Sequence, residues 1–480
     1  MRYYSRKYTI ICFLFLSFLF IKAGMSSENE FIVSGKIVSE ETGEPIEFVN
    51  IFIDNHPFGV ISNINGEFVF YIPVKYKNNN IIFSCMGYES DTIAVKKINS
   101  DHKLLIELTP KKIILEEITV KPVNPLDILR EVIKRIPVNY PDNSINMYAY
   151  YREMVKVDTS FVKYTDAACE IYYCSYDISY DEEIASSLFF KADYNSFLQG
   201  SLPFPQAKHI IPHQNDAVKI IELRKSNNLE HFENRWGFEE NLKKFDIGGG
   251  PLHITAADIV KFKNDFLDSL SWKHYQFMYK GILTYNNRDV YKISFRPDKT
   301  NRSALWEGYM YIDKYSFALI SYEYNISEKC VKYLKDKNLE YIVELTRRKT
   351  RKQTGKQLVK RKIEHTDQRV RVNYTLHQSK WYLSHIKVEN TFNNTGDLFE
   401  DINYETYLEL VVNNVETRNV IPFKTDAVFH TNKYNYMFNY PQTYNPKFWE
   451  TFNTPLPSGI YKEAMKDIEK KKTLEEQFME

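Results

Sequence analysis

Apolar and polar residues alternate in short runs from residue 31 to about residue 109, and turn residues separate the runs. In one run Val49, Ile51 and Ile53 occupy every second position, which places them on one side of an extended chain. Asn65-Gly66 precedes another run and is a strong turn signal, because glycine tolerates positive φ. Six or seven strands at intervals of about 8–12 residues predict a small antiparallel β-sandwich.

Three later segments repeat apolar residues at the 3.6-residue period of an α-helix. The first follows Asn124, which can cap a helix with Pro125 at its first position, and Pro137 is expected to end it. Thr255 and Asp258 form an N-cap pair for the second, and the third begins at about residue 458. The apolar stripes are Leu129, Val132, Ile133 and Ile136; Ile259, Phe262, Phe266 and Leu270; and Tyr461, Ala464, Met465 and Ile468.

Long alternating segments that are dense in Tyr dominate the chain after Tyr275. Four of them lie between Tyr275 and Asn325, and further strands follow to about Val415. Successive antiparallel strands of this length predict a strongly curved, half-barrel-like sheet. The predicted fold class is therefore mainly β with minor α, in which a seven-stranded N-terminal sandwich precedes a curved antiparallel sheet domain with a few helices.

The first 27 residues have the pattern of a secretory signal peptide. Arg2, Arg6 and Lys7 precede an apolar core of 12 residues, and small residues follow it. Twelve residues span only about 18 Å as a helix, which is short of a ~30 Å hydrocarbon core. We therefore expect the chain to be exported and the leader to be cleaved.

Composition narrows the function classes further. Removal of the leader takes away four basic residues and leaves 59 Lys and Arg against 62 Asp and Glu, so nothing indicates a general nucleic-acid binder. The four remaining cysteines are too few for a disulfide scaffold. Cys169 and Cys174 lie in one predicted strand about 17 Å apart and on opposite faces, so we expect free, buried thiols.

The opening module carries the motifs "GKIV", "TGEPIEFVNIFI", "NGEF" and "MGY" in a fixed order. In that order and spacing they resemble the carboxypeptidase-regulatory-like domain, a transthyretin-like sandwich, over residues 31 to about 109. Ser62-Asn63 replaces the family's usual Thr-Asp before the turn, which alters turn capping only. The resemblance implies an accessory domain without catalytic residues, common in exported envelope proteins of the Bacteroidota type, and hence a periplasmic or outer-membrane-associated protein of a Gram-negative bacterium.

The later strands carry a weaker likeness. The order "Y-x-I-x-F…G-x-x-Y-I-D…A-L-I" resembles the central region of exported Bacteroidota proteins with the same sandwich, and the curved sheet is loosely similar to half-barrel carriers of lipoproteins. The predicted division is a signal peptide (1–27), the sandwich (28–110), a linker (111–124), a mixed helix and curved-sheet domain (125–456) and a C-terminal helix (457–480).

The chain lacks the common catalytic and metal-binding motifs. No His has a Glu three residues later, no His-Glu-x-x-His occurs, and there is no Gly-x-Ser-x-Gly elbow. His209 and His213 have helical spacing, but Pro212 between them breaks a helix. The glycines at 248–250 precede a helix without the phosphate-loop lysine. Ser-x-x-Lys occurs at Ser100/Lys103, Ser160/Lys163 and Ser384/Lys387, the latter two in strand contexts that separate serine from lysine.

We therefore predict no catalytic, cofactor-binding or metal-binding residues, no cofactor and no enzyme activity. One segment between residues 347 and 371 is strongly basic and offers peripheral contact with the outer membrane or an anionic envelope polymer; a solvated hairpin is the alternative. The basic residues assigned to that contact are Arg347, Arg348, Lys349, Arg351, Lys352, Lys360, Arg361 and Lys362.

The sequence favours a non-catalytic cell-envelope protein that binds or scaffolds through its curved aromatic sheet. Its partner would be a hydrophobic, glycan or protein ligand of the envelope, and nucleic acid is not expected. Two alternatives stay open at this point. One is an outer-membrane barrel or transporter-associated component, because "EEITV" follows the sandwich as in energised transporters. The other is an uncharacterised hydrolase whose fold brings a His and carboxylates together in one pocket.

Overall fold

The computed structural model describes residues 30–99, 102–111, 123–176, 216–227, 250–263, 265–298, 306–328, 330–331, 361–396, 399–424, 427–428, 437, 440–470 and 472–479. The predicted signal peptide and most of the predicted linker lie outside these residues. Among the described residues, no helix combines the length and the apolar character needed to cross a membrane.

The predicted N-terminal sandwich is present, with seven strands in two sheets. One sheet has the order β4-β1-β7 and the other β3-β2-β5-β6. The expectation of a wholly antiparallel sandwich was wrong, because β7 enters beside β1 in the same direction. The strands are β1 (Glu30–Ser39), β2 (Asn50–Ile53), β3 (Gly59–Ile61), β4 (Glu67–Pro73), β5 (Asn80–Ser84), β6 (Asp91–Ala94) and β7 (Leu104–Leu108).

Alternation builds the core of this sandwich. Residues of β4 alternate between half-buried and buried, so that Phe68, Phe70 and Ile72 point into a core shared with the facing sheet. The turn before β4 requires glycine at position 66, where φ is +71° and a Cβ atom would lie 2.2 Å from the carbonyl oxygen of Ile37. The predicted Asn-Gly turn is therefore also a point of close backbone packing.

The rest of the chain builds one open ten-stranded sheet of order β10-β9-β8-β17-β16-β15-β14-β13-β12-β11. All neighbours are antiparallel. Among the described strands of this sheet, one pairing is non-sequential, that of β17 with β8, and it joins the early Tyr-dense strands to the later meander. The strands are β8 (Ile145–Val157), β9 (Ser160–Tyr173), β10 (Ala217–Asn227), β11 (Tyr275–Tyr285), β12 (Arg288–Pro297), β13 (Trp306–Asp313), β14 (Leu319–Ile326), β15 (Arg361–His377), β16 (Lys380–Gly396) and β17 (Phe399–Glu416).

The helices differ from the sequence prediction: the first is longer, and the second and third are interrupted. The first helix continues through Pro137 for two more residues. The second is broken, because Lys263 and Asp265 adopt left-handed backbone conformations. The third is divided, because a capping box of Thr473 and Glu476 starts a new helix. The described helices are α1 (Pro125–Asn139), α2 (Gly250–Ile254), α3 (Ile259–Phe262), α4 (Pro446–Thr451), α5 (Ile460–Ile468) and α6 (Leu474–Phe478).

Both faces of the ten-stranded sheet are covered over most of its width. The face that we call inner carries Tyr151, Leu410 and Tyr322, and it packs against α1 and residues 250–267 in one large core. The opposite, outer face meets the sandwich and the C-terminal helices, as in the contacts of Tyr150 with Ile61 and Trp449. The described cysteines are free thiols, as expected, with Cys169 buried and Cys174 half-buried.

Candidate functional site

A line of charged side chains crosses the outer face of the ten-stranded sheet. Because strand residues alternate between faces, in-register partners on neighbouring strands fall on the same face. Seven neighbouring strands, β10 to β14 in sheet order, each place a charged residue in this one line, which we call the charged row. Its members are Arg224, Asp166, Arg152, Glu409, Lys387, Arg371 and Glu323.

Asp166 anchors one end of the charged row. Arg152 Nε lies 3.0 Å from its Oδ1 atom and Arg224 Nη2 lies 2.8 Å from Oδ2. The hydroxyls of Tyr150 and Tyr164 donate to the same carboxylate at 2.6 and 2.9 Å. Burial raises the pKa of Asp166, but the two arginines and the hydrogen bonds outweigh it, so the net pKa lies below the ordinary value.

The middle of the charged row holds a buried His–carboxylate pair. His385 Nε2 lies 3.0 Å from Oε1 of Glu409, and the two side chains are 0% and 2% exposed. Tyr461 on α5 donates its hydroxyl to Glu409 Oε2 at 2.8 Å. Burial raises the pKa of Glu409, but the hydrogen bond from His385, the charge of Arg152 and the Tyr461 hydroxyl bring it below its usual value.

Hydrogen bonding assigns the His385 tautomer. Asn373 Oδ1 accepts from the hydroxyl of Ser321 at 2.7 Å, which leaves the Asn373 amide nitrogen facing His385 Nδ1 at 3.2 Å. Nδ1 is therefore the acceptor, and Nε2 carries the proton donated to Glu409. Both ring nitrogens have partners within the protein.

The sandwich covers this pair with one side chain. Phe48 stacks on the His385 ring with centroids 5.6 Å apart, and the charged groups of Arg371 and Lys387 each lie 5.1 Å from the Phe48 centroid. Glu47 pairs with Arg371 at 3.2 Å. Phe48 has φ +53°, a strained value for a non-glycine residue. The "EF" of the sandwich motif thus projects onto the outer face.

The C-terminal segment clasps the sandwich from the other side. Asn453 uses its side-chain amide like a strand backbone, accepting from the Tyr71 N–H at 2.9 Å and donating to the Tyr71 carbonyl at 3.1 Å. Asn63 Nδ2 donates to the carbonyl of Leu456 at 3.3 Å. These contacts pair part of the edge of β4, so the sandwich is held between the sheet and the segment before α5.

The inner face carries a buried tyrosine cluster around Asp258, the N-cap residue of α3. Tyr173 and Tyr176 donate their hydroxyls to Asp258 Oδ2 at 2.9 and 2.6 Å, and Tyr374 donates to Oδ1. Lys261 Nζ, on the same short helix, lies 2.7 Å from Asp216 Oδ2. Burial raises the pKa of Asp258, and the three tyrosine hydrogen bonds act against it. Here the tyrosines pin residues 250–267 to the sheet.

The register of the charged row continues onto β13, β12 and β11, where two of its three side chains are partly exposed to solvent. Tyr309 and Met278 are 37% and 38% exposed, and Ser294 lies between their strands. Lys292 Nζ lies 4.3 Å from the Tyr309 ring centroid. We call Met278, Lys280, Lys292, Ser294 and Tyr309 the Tyr309 patch. The Tyr309 patch therefore combines an aromatic ring on which a ligand can stack with lysine ammonium groups that pair with no carboxylate among the described residues.

Most residues weighed in the sequence lie outside the described part of the chain or in ordinary strands. His209, His213, Gly248, Gly249, Ser100 and the basic residues 347–360 are outside it, and the side chains of Arg361 and Lys362 in β15 are not described. Gly250, the last of the three glycines, is the first residue of α2. Ser160 and Lys163 lie in β9, and Ser384 and Lys387 in β16. The described residues contain no group of three or more His, Cys, Asp or Glu side chains that could hold a metal ion.

The sequence reasoning missed the charged row. Arg152 lies within the buried strand β8 and Asp166 within the buried strand β9. A charged residue inside such a strand indicates that one face of the strand makes polar contacts. Their pairing depends on the register of strands that are far apart in the chain, such as β8 with β17. Sequence spacing alone does not contain that register.

Comparison with known proteins assigns the sandwich. Residues 33–120 match the family model described as the CarboxypepD_reg-like domain. No curated protein matches the chain. Among solved structures, a LolA superfamily protein from Nitrosomonas europaea has 10% identity and a TM-score of 0.23, over 64% of this chain and 99% of its own.

Two further solved structures have comparable scores. A DUF1329 family protein from Desulfovibrio piger has 11% identity and a TM-score of 0.21, over 64% of this chain and 100% of its own. Lipovitellin, in a structure of lipid–protein interactions, has 6% identity and a TM-score of 0.21, over 60% of this chain and 26% of its own. TM-scores this low do not establish a shared fold.

Proposed function

We propose that this chain is a non-catalytic binding protein of the cell envelope, in which the ten-stranded sheet carries the ligand and the sandwich is a docked accessory. One observation carries the proposal, the division of the outer face. The half of the charged row that holds Asp166, Arg152 and Glu409 is buried beneath the C-terminal helices and beside Phe48, whereas the row becomes partly exposed at Arg371 and Glu323 and continues in register into the exposed Tyr309 patch. The buried ionisable groups connect the sheet to the sandwich and to the C-terminal helices. The exposed side chains of the Tyr309 patch, in contrast, are of the types that stack on a ligand and donate hydrogen bonds to it.

The His385–Glu409 pair supports binding rather than hydrolysis. A general base must come within hydrogen-bond reach of a substrate proton, directly or through one water. His385 is completely buried, Phe48 covers its ring, and both of its nitrogens are engaged by Glu409 and Asn373. The hydrolase alternative expects such a pair to face a pocket, and this pair faces the sandwich.

A two-part experiment tests the function. The full mature chain is titrated against lipid vesicles, acidic and neutral polysaccharides and peptidoglycan fragments, and the same preparation is assayed with ester, glycoside and peptide substrates. Saturable binding to at least one partner without turnover is the expected result. Turnover that His385→Gln abolishes would establish an enzyme, and absence of binding across the panel would also overturn the proposal.

Envelope location is part of the same proposal and rests on the leader pattern of residues 1–27. Expression of the full chain with a C-terminal tag, followed by fractionation and N-terminal sequencing, tests it. We expect the protein in the envelope fractions with a new N-terminus close to residue 28. Recovery in the cytoplasm with the leader intact would contradict it.

A further inference from the structure

The geometry points to an acidic polysaccharide as the ligand of the Tyr309 patch, an inference that deepens the proposed binding function and rests on it. The patch lies on β11, β12 and β13 at one end of the sheet, whereas Phe48 contacts side chains of β15 and β16, and α5 contacts residues of β8, β9 and β17. From Met278 on β11 to Tyr309 on β13 the row crosses two strand spacings, about 10 Å. A short stretch of sugar chain fits that length.

Charge selects an anionic ligand. Lys280 and Lys292 pair with no carboxylate among the described residues, and the Arg296 guanidinium contacts the neutral side chain of Gln276 at 3.0 and 3.1 Å. The nearest acid in the row, Glu323, is already engaged by Arg371 and by the hydroxyl of Tyr311. The patch therefore offers cations that a uronic-acid carboxylate would neutralise.

Aromatic and polar groups select a sugar. The Tyr309 ring is partly exposed and carries Lys292 at 4.3 Å, so a sugar ring packed on the tyrosine brings its carboxylate next to an ammonium group. Ser294 is 8% exposed, and its Oγ atom has no hydrogen-bond partner among the described residues. A sugar hydroxyl reaching it past the flexible Met278 side chain would supply that partner.

Shape argues against a bilayer as the occupant. Interfacial membrane binding places apolar side chains about 5–10 Å into the lipid, and a protruding amphipathic element usually supplies them. Tyr309 and Met278 instead stand within β-strands of a sheet and are each more than half buried. They offer a shallow contact surface to a polymer lying across the strands.

The test uses alginate as the acidic polysaccharide, dextran as the neutral one, and phosphatidylglycerol–phosphatidylcholine vesicles as the anionic membrane. Binding of the full mature chain is measured at low salt and at high salt. We expect saturable alginate binding that weakens with salt and no dextran binding. Tyr309→Ala and Lys292→Gln should each weaken it at least about tenfold, as a central contact residue does, whereas Tyr309→Phe should largely retain it.

Tyr315→Ala is the matched control, because Tyr315 is 64% exposed and lies outside the patch. If Tyr309→Ala and Lys292→Gln bind alginate as tightly as the unaltered protein does, the assignment of the ligand to this patch is wrong. The proposed binding function would then still stand. Vesicle binding without alginate binding would overturn the ligand class, again leaving the proposed function standing. Absence of alginate binding overturns the inference in every case, and only the wider ligand panel decides the function.

Discussion

Phe48 of the sandwich stacks on His385 of the ten-stranded sheet, 5.6 Å between ring centroids, and His385 in turn bonds Glu409 at 3.0 Å. A side chain of the sandwich thus covers a buried histidine–carboxylate hydrogen bond of the sheet. The sandwich is therefore held against the sheet by side-chain contacts as well as by the covalent chain. Buried charges of this kind are costly unless every partner is in place.

Removal of the Glu409 charge should destabilise the protein. Glu409→Gln removes the carboxylate charge near Arg152 and replaces one of the two oxygens that accept from His385 Nε2–H and the Tyr461 hydroxyl with an amide nitrogen. One buried donor is then left unpaired, which costs about 1–3 kcal/mol of unfolding free energy. Because the pKa of Glu409 is lowered by folding, its stabilisation is present above the unfolded pKa and is lost as pH falls through the folded value. Urea unfolding at pH 7 and at pH 4 measures both, and the variant's deficit should shrink at the lower pH.

Glu416→Gln is the matched control for that experiment, since Glu416 ends the same strand and is exposed. It should change the free energy of unfolding by less than about 0.5 kcal/mol. If the two substitutions change the free energy of unfolding equally, the position of Glu409 in the charged row gives the protein no additional stability.

Loss of the Phe48 ring should loosen the sandwich from the sheet. Phe48→Ala removes the stack on His385 and keeps the left-handed backbone, and we expect a loss of about 1–3 kcal/mol because the ring is only half-buried. Hydrogen exchange of β16 amides around His385 should accelerate. Phe31→Ala, which packs within the sandwich core alone, is the control and should leave β16 exchange unchanged. Unaltered β16 exchange in Phe48→Ala would contradict the docking role.

Asp265, a half-buried residue with an enclosed carboxylate Oδ2 atom, should reduce stability at neutral pH. Burial raises the pKa of Asp265 from 3.8 to about 8, against a hydrogen bond from Trp306, and its Oδ2 atom has no partner among the described residues. The unfolded chain releases this proton near pH 4 and the folded chain near pH 8, so stability falls as pH rises between these values and the loss is complete above pH 8.

Asp265→Asn should therefore stabilise the protein by about 1–2 kcal/mol above pH 8, with the gain vanishing near pH 4. Asparagine also tolerates the left-handed conformation, φ +55°, at this position. Thermal unfolding from pH 4 to pH 9 measures the effect. Asp268→Asn is the control, because Asp268 accepts from Leu270 N–H and Ser271 Oγ and should give no gain. A gain independent of pH would contradict the titration argument.

The sandwich could be predicted from sequence because its signals are local. Asn65-Gly66 sets a turn between neighbouring strands, and Phe68, Phe70 and Ile72 reveal the buried face within one strand. Individual strands of the large sheet were also visible in the alternation of apolar residues. Its order was not, because the pairing of β17 with β8 joins residues such as Tyr407 and Met154 that no local pattern connects.

The prediction of one continuous helix over residues 259–270 was wrong for a different reason. Three residues of its apolar stripe, Ile259, Phe262 and Phe266, are buried as predicted, but the fourth, Leu270, is 78% exposed. The backbone, however, turns left-handed at Lys263, so that the same residues reach the core through short turns. Tertiary packing against the sheet overrides helix propensity here, and a single sequence gives no measure of that packing.

The two hydrogen bonds between the Asn453 side chain and the Tyr71 backbone should be sensitive to replacement of the amide nitrogen by oxygen. Its Oδ1 accepts from the Tyr71 N–H at 2.9 Å and its Nδ2 donates to the Tyr71 carbonyl at 3.1 Å, so both groups of the β4 edge are paired. Asn453→Asp keeps the acceptor but sets a carboxylate oxygen against a carbonyl oxygen, and it should cost about 1–3 kcal/mol. Asn453→Ala leaves the N–H and the carbonyl of Tyr71 to hydrogen-bond with water, and it should cost less unfolding free energy than Asn453→Asp. Urea unfolding of the two variants measures the order, and equal losses would mean that the amide donor does not hold the edge.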